Sequence, residues 1–445
     1  MILLISLFIL GYILIAMEHP LKINKAATAL LLGMILWVIY SALSSDINKL
    51  NSSILAHMGD ITQILFFLIG AMTIVEMVDV HGGFSVVTDH ISTRGKRNLL
   101  WILGFITFFM SAVLDNMTTA IVMTMLLRKL VKAQRERWLY ASVIIIAANS
   151  GGAWSPIGDV TTIMLWVKGN ITTQALCSFV LLPSIVSMVI PMAFITPMLK
   201  GVLPDISKDT VSMPLAGYVS VHDKFIIFCL GVGGLLFVPI FKAFTGLPPF
   251  MGMLISLGVI WIYTELWYNK KQNEGKGEYR VPSILKRIDI QTILFFLGIL
   301  MAVAVLQESG ILSSVAHWLD IKLHNIYIID IILGMLSSIV DNVPLVAASI
   351  SMYPLYTVPA IPWGPDYTYM LHFVQDGAFW EFLSYCVGVG GSIFIIGSAA
   401  GVVVMGLEKM NFVWYMKKIS LIAFLGYLGG AVVYVLEVIL LKGGL

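Results

Sequence analysis

Apolar residues run along this chain in long stretches, at about residues 2–17, 26–43, 61–79, 99–131, 139–166 and 176–198. They return at about 224–243, 249–267, 289–306, 326–356, 378–405 and 415–440. Most are long enough for a helix to cross about 30 Å of hydrocarbon, and none alternates with the period of a strand. Six stretches are followed by six. Words recur between the sets: Asp60-Ile-Thr-Gln-Ile-Leu-Phe-Phe-Leu68 returns as Asp289-Ile-Gln-Thr-Ile-Leu-Phe-Phe-Leu297. Ser111-Ala-Val-Leu-Asp115-Asn116 returns as Ser337-Ser-Ile-Val-Asp341-Asn342, at an offset of 226 residues. Gly151, Gly152 and Gly158 return as Gly390, Gly391 and Gly397, at an offset of 239, the drift lying in a longer loop near 357–377. The pattern is an internal duplication.

The stretch from 99 to 131 would be about 50 Å long as one straight helix, too long for a single crossing. Arg94, Lys96 and Arg97 precede it, and Arg128, Lys129, Lys132, Arg135 and Arg137 follow it. Cytoplasmic loops collect Lys and Arg, so both ends lie on the cytoplasmic side and the stretch forms a re-entrant hairpin with Asp115-Asn116 at its tip. Its repeat, 326–356, has almost no basic flank, which puts the second hairpin's base outside. Five true spans per half then remain, one of them broken in mid-membrane, and the odd number inverts the second half relative to the first. All but five of the 27 Lys and Arg residues fall in cytoplasmic loops, with Lys49, Lys168, Lys242, Lys322 and Lys442 outside. The expected fold is an all-α polytopic membrane protein of two inverted-topology repeats, with both termini external. Residues 1–79 and 224–306 form a scaffold, 80–198 and 307–445 carry the hairpins and broken spans of a transport part, and 199–223 is a cytoplasmic linker.

Composition agrees: 59% of residues are hydrophobic and 12% charged, and the mean hydropathy of +0.93 excludes a soluble globule. The net charge of +2 selects no partner and gives no reason to expect nucleic acid. Cys177, Cys229 and Cys386 have neither metal-type nor redox spacing and read as ordinary thiols. Residues 2–16 resemble the apolar part of a signal peptide, but they lack a preceding basic region and a small-residue cleavage site, so they are taken as a retained span.

Candidate chemistry sits where charge interrupts the apolar runs. An ionised carboxylate alone in hydrocarbon is costly, so Asp115, Asp159 and Asp341 must face protein, water or a cation, or hold a proton. The stretch Asn149-Ser-Gly-Gly-Ala-Trp-Ser-Pro-Ile-Gly-Asp159-Val-Thr-Thr162 places glycines, a proline and a carboxylate in mid-span, and reads as unwound. Freed carbonyls there, with oxygens from Asn149, Ser155, Asp159, Thr161 and Thr162, suit a small hard cation. The matching stretch from Gly388 carries Ser392 and puts Ser398 where Asp159 stood, so the two half-sites differ in charge. Asn116, Thr118, Thr119 and Asn342 flank the tips. Glu76 is a candidate proton relay or an interfacial carboxylate. A glycine pair in a span also serves close helix packing.

Val340-Asp-Asn-Val-Pro-Leu-Val-Ala-Ala348, Met352-Tyr-Pro-Leu355 and Gly151-Gly-Ala-Trp-Ser-Pro-Ile-Gly-Asp-Val-Thr-Thr162 resemble the signature stretches of the NhaD-type sodium/proton antiporters. These belong to the ion transporter superfamily that also contains arsenite permeases and dicarboxylate transporters. The resemblance implies a homodimer in a bacterial inner membrane, with a scaffold and an elevator-like transport part. Dicarboxylate members carry Ser-Asn-Thr at the tips; Asp115-Asn116-Met117-Thr118 and Asp341-Asn342-Val343-Pro344 depart from that.

Three carboxylates with no Lys or Arg inside the repeated core segments repel a dianion and attract a cation. Protons and Na+ or Li+ competing for the same oxygens would be antiport. The expectation is therefore a sodium (lithium)/proton antiporter with no cofactor, its Na+ held by Asp115, Asp159 and Asp341. The alternative is a permease for a small anion or oxyacid such as arsenite. A channel would need a continuous pore, and an enzyme would need a nucleophile with its base, a nucleotide loop or a metal cluster, none of which the sequence displays.

Overall fold

The computed structural model describes residues 2–16, 23–44, 46–84, 93, 95–203, 220–270, 280–339, 341–361, 364 and 366–443. Lys22, Arg94, Lys208, Lys271 and Lys276, with most of the expected linker, lie outside the described residues. The first half folds as α1 (Ile2–Ala16), α2 (Lys25–Leu43), α3 (Ile47–Val80), α4 (Lys96–Leu114), α5 (Asn116–Leu130), α6 (Gln134–Ala153), α7 (Val160–Val167), α8 (Thr173–Phe179) and α9 (Leu181–Ile195). The second follows as α10 (Val221–Thr245), α11 (Pro249–Lys270), α12 (Ile290–Glu308), α13 (Ile311–Lys322), α14 (Ile326–Ser337), α15 (Asn342–Met352), α16 (Ala378–Gly390), α17 (Ala399–Glu408) and α18 (Leu421–Leu441). Eight helical segments are long and apolar enough to cross a membrane, and the described residues form no strand.

Local chemistry sets the helix starts. Asn24 accepts from Ala26 N–H, Asp46 from Lys49 N–H and Asp289 from Thr292 N–H, each satisfying an otherwise orphan donor. The Asp46 cap lets α3 begin well before the apolar run at 61, so it is 34 residues and about 50 Å long. Helix α13 has no counterpart among the apolar stretches. It is short, burying Ile311, Leu312 and Ala316 while Trp318 and Ile321 stay exposed, so hydropathy alone does not mark it.

The duplication is visible in the packing. Helix α2 lies along α12 and α3 along α11, the same pairing made from each half. Helices α4 and α5 pack together and against α6, as α14 packs with α15 and α16. Ser111 Oγ donates to Ala148 O at 2.5 Å, and its repeat Ser337 donates to Val387 O at 2.8 Å. A methyl group on Gly151 would stand 2.1 Å from Phe108 O; on Gly390 it would stand 2.2 Å from Gly334 O. Apolar burial gives helices little drive to associate within lipid, so such close backbone approach supplies the contact. The halves meet again where α9 packs on α18, Gly426 lying over Ser187 O and Gly430 over Pro183 O.

Polar contacts hold many of the basic side chains in place. Lys96 pairs with Glu136, Arg97 reaches Leu199 O, and Arg128 and Arg137 both grip the buried Glu408. Separately, Lys168 pairs with Asp60, Lys242 reaches Trp166 O, and Lys442 holds Glu381 and Asp376 O.

Candidate functional site

Four helix starts carry the site. Asp115 caps α5, Asp159 caps α7, Asp341 caps α15 and Ser398 caps α17. Regular helix is interrupted at each, which leaves backbone groups unpaired and draws a short polar side chain to the helix start. Asp115 adopts a φ of 81°, a region that non-glycine residues rarely enter. Its carboxylate offsets this by accepting from Thr118 N at 2.8 Å and Thr118 Oγ1 at 2.7 Å. Between Ala153 and Val160 the helix is absent, as the glycine and proline content demands. There Ser155 donates to Ala112 O, tying the break to the end of α4.

Asp159 is the centre, 1% exposed. Its Oδ1 accepts from Thr161 N and Thr161 Oγ1, each at 2.9 Å. Asn116 Nδ2, from the first tip, donates to Oδ2, and Asn342 Nδ2, from the second, stands 3.4 Å from both carboxylate oxygens. One carboxylate thus touches both duplicated tips. Asn116 Nδ2 also lies 3.2 Å from Asn149 Oδ1, and Asn149 Nδ2 donates to Ser392 Oγ at 2.9 Å and Ser398 Oγ at 2.8 Å. The polar chain therefore crosses from the first broken span to the second. Thr162 closes a capping box on the Asp159 backbone, a supporting role. Thr119 is buried, and its hydroxyl has no hydrogen-bond partner among the described residues.

Asp115 and Asp341 are less enclosed, and both lie near enough to Asp159 to repel its charge. Beside Asp115 and Asn116 is a cavity of about 60 Å³, otherwise walled mainly by apolar side chains including Phe67, Met72 and Phe296. That is room for water or a bare cation, well below the 300 Å³ or more of ordinary organic-ligand pockets. The amides at three of the four helix starts are already turned to Asp115, Asp159 and Asp341. An incoming anion meets carboxylates there instead of free N–H groups.

A cation reaches the site from outside the repeated core segments. Lys25, at the start of α2, places Nζ 3.6 Å from Asp341 Oδ2 and 4.5 Å from the centre of the Phe295 ring. It lies outside the repeated core segments but reaches the tip. Glu76 makes none of the contacts that join the cluster; it faces Arg287 at 3.9 Å and is one-third exposed. The sequence reading also passed over three buried carboxylates, Asp330, Glu381 and Glu408. Asp330 carried the same signal as Asp115, a charge inside an apolar run.

The sequence profile of the citrate transporter family matches residues 12–370. Sodium/proton antiporter 2 of Arabidopsis thaliana is 44% identical over 96% of this chain and 97% of its own length. Sodium/proton antiporter 1 of the same plant is 45% identical over 96% of this chain and 71% of its own. The Na(+)/H(+) antiporter NhaD of Vibrio cholerae is 27% identical over 97% of this chain and 90% of its own.

Proposed function

The chain belongs to the ion transporter superfamily as an NhaD-type member, and from that premise we propose that it exchanges Na+ or Li+ for H+ across a membrane. The protein is a multi-pass membrane protein and a transporter. The observation that carries the exchange reading is the contact of buried Asp159 with Asn116 and Asn342 from the two tips. A cation entering between the tips finds carboxylate and amide oxygens within one small polar cluster, which is the ligand set a hard cation requires.

Asp115, Asp159 and Asp341 bear the exchanged charge, and Asn116, Asn149, Asn342, Thr118, Thr161, Ser392 and Ser398 orient them or lend oxygens. A proton and a sodium ion compete for the same carboxylates. If the empty, charged site crosses poorly, the fluxes couple with no further device. The two helix pairs are re-entrant from opposite faces, the repeats are inverted, and the parts at 80–198 and 307–445 shift together against a scaffold dimer. Both termini lie outside a bacterial inner membrane or its equivalent.

The second reading, a permease for a small anion or oxyacid, has the description of the matching family profile in its favour. Three carboxylates on the helix starts and a cavity too small for a tricarboxylate weigh against it. The test is sodium-evoked proton movement in proteoliposomes read with a pH-sensitive dye, for the wild type and for Asp115→Asn, Asp159→Asn and Asp341→Asn. Proton release that vanishes in folded variants supports exchange at this site. A folded wild type in which sodium moves no protons sinks it, and uptake of arsenite or a carboxylate is measured next.

A further inference from the structure

Asp330 lies in α14, in the arm leading to the second tip, and is 0% exposed. Among the described residues neither of its carboxylate oxygens has a hydrogen-bond partner. The first half offers no counterpart, since the repeat places Gly104 there. An ionised carboxylate cannot persist unpaired in such a place, so in this packing the group holds a proton. Its titratable surroundings come from every neighbouring element. They are Tyr327 on its own helix, Tyr353 after α15, Tyr369 in the following loop, Cys386 on α16, and Tyr427 and Tyr434 on α18. The fixed charges nearby are already committed: Glu381 pairs with Lys442 at 2.8 Å and accepts from Tyr434 at 2.9 Å.

A cavity of about 470 Å³ is lined by His317, Asp320, His324, Tyr353, Asp366 and Tyr369 among others. Tyr369 donates to Asp320 at 2.7 Å and Tyr353 at 3.3 Å. These two hydroxyls stand within electrostatic reach of both Asp320 and Asp330. We propose that Asp330 is a second proton-binding site of the exchange cycle, separate from the sodium-binding carboxylates and loaded through the cavity that Asp320, Tyr353 and Tyr369 line. The balance is simple: in a packing that admits water to α14 the carboxylic acid releases its proton through that cavity, and it regains one before the packing closes, with no bond made to sodium.

This inference rests on the exchange reading, so its test keeps the two apart. Protons moved per sodium, and their dependence on pH, are measured in proteoliposomes for the wild type, Asp330→Asn and Asp330→Leu. Both variants remove a buried, unpartnered acid and should melt no lower than the wild type. The expected result is sodium transport retained with one proton fewer per sodium and a shifted pH profile. A wild type without sodium-evoked proton movement overturns the exchange reading; a working wild type with unchanged ratio and profile in both variants overturns Asp330. Should neither variant fold, the wild type is treated with a lipid-soluble carbodiimide, which modifies protonated carboxyls in apolar surroundings. An Asp330 adduct that diminishes as the pH rises upholds the proposal; no adduct, or one indifferent to pH, refutes it.

Discussion

Lys25 Nζ stands 3.6 Å from the Asp341 carboxylate, joining the start of the second helix to the tip of the other half. Both groups are partly exposed, so the pair is worth at most about 1 kcal/mol. An ammonium in that position competes with any cation arriving at Asp341. Replacing Lys25 by Met is therefore expected to lower the sodium concentration for half-maximal exchange, by up to about fivefold. A dye-based sodium titration checks it, and unchanged or weakened affinity contradicts it.

Asn116 and Asn342 both hold Asp159, but not equally. The Asn116 contact is close and is shared with Asn149, whereas Asn342 stands at 3.4 Å. Hydrogen bonds to a charged group contribute about 1.5–3 kcal/mol, so Asn116→Ala should cut exchange by roughly ten- to a hundredfold. Asn342→Ala should cost less. Equal loss, or the reverse order, would show that proximity to Asp159 does not rank the two tips.

Gly151→Ala and Gly390→Ala would each drive a methyl group into a carbonyl of the adjoining arm. Overpacking of this kind costs about 1–3 kcal/mol or more. Both variants should lose thermal stability in detergent by similar amounts. Gly258→Ala, with nothing within 4 Å of the new carbon, should not.

Glu408 is fully buried between Arg128 and Arg137, each at 2.8 Å. Removing one member of a buried ionic group leaves uncompensated charge and costs about 3–5 kcal/mol, less here because Arg128 is partly exposed. Glu408→Ala should melt well below the wild type, while its sodium affinity, once the protein is folded, stays unchanged. A change in affinity at unaltered stability would assign the residue to the transport site instead.

The proposed inversion makes a labelling prediction. Cysteines placed at Asp366 and at Arg135 should react with impermeant reagents from opposite faces, the first from outside and the second from the cytoplasm. Reaction of both from one face would rule out inversion.

Much of the fold was legible because membrane helices announce themselves by length and hydropathy, and because duplication let each half check the other. The break at Asp159 followed from glycine, proline and charge in mid-span, and Asp115 and Asp341 were visible as charges in apolar runs. What stayed hidden depends on the third dimension. Lys25 looked like an ordinary loop cation because nothing in the sequence says that α2 begins beside the second tip. The start of α3 was missed because its first turns are polar and depend on the Asp46 cap. Helix α13 is too short to stand out. Thr162 and Ser155 were legible as polar residues, but only the backbone hydrogen bonds reveal that they brace the break.

The unequal half-sites, with Asp159 in the first broken span and Ser398 in the second, have a kinetic consequence. A carrier built from two like halves has no reason to run faster in one direction if its charge lies on the axis relating them. Under the proposed inversion the charge of Asp159 has no counterpart at Ser398, so the steps that load from one face are not mirror images of those that load from the other. Forward and reverse exchange can differ in speed at equal driving force, although both must arrive at the same equilibrium. The exchanger would then act as a rectifier in rate alone, and its preferred direction would be set by which half of an old duplication kept its carboxylate.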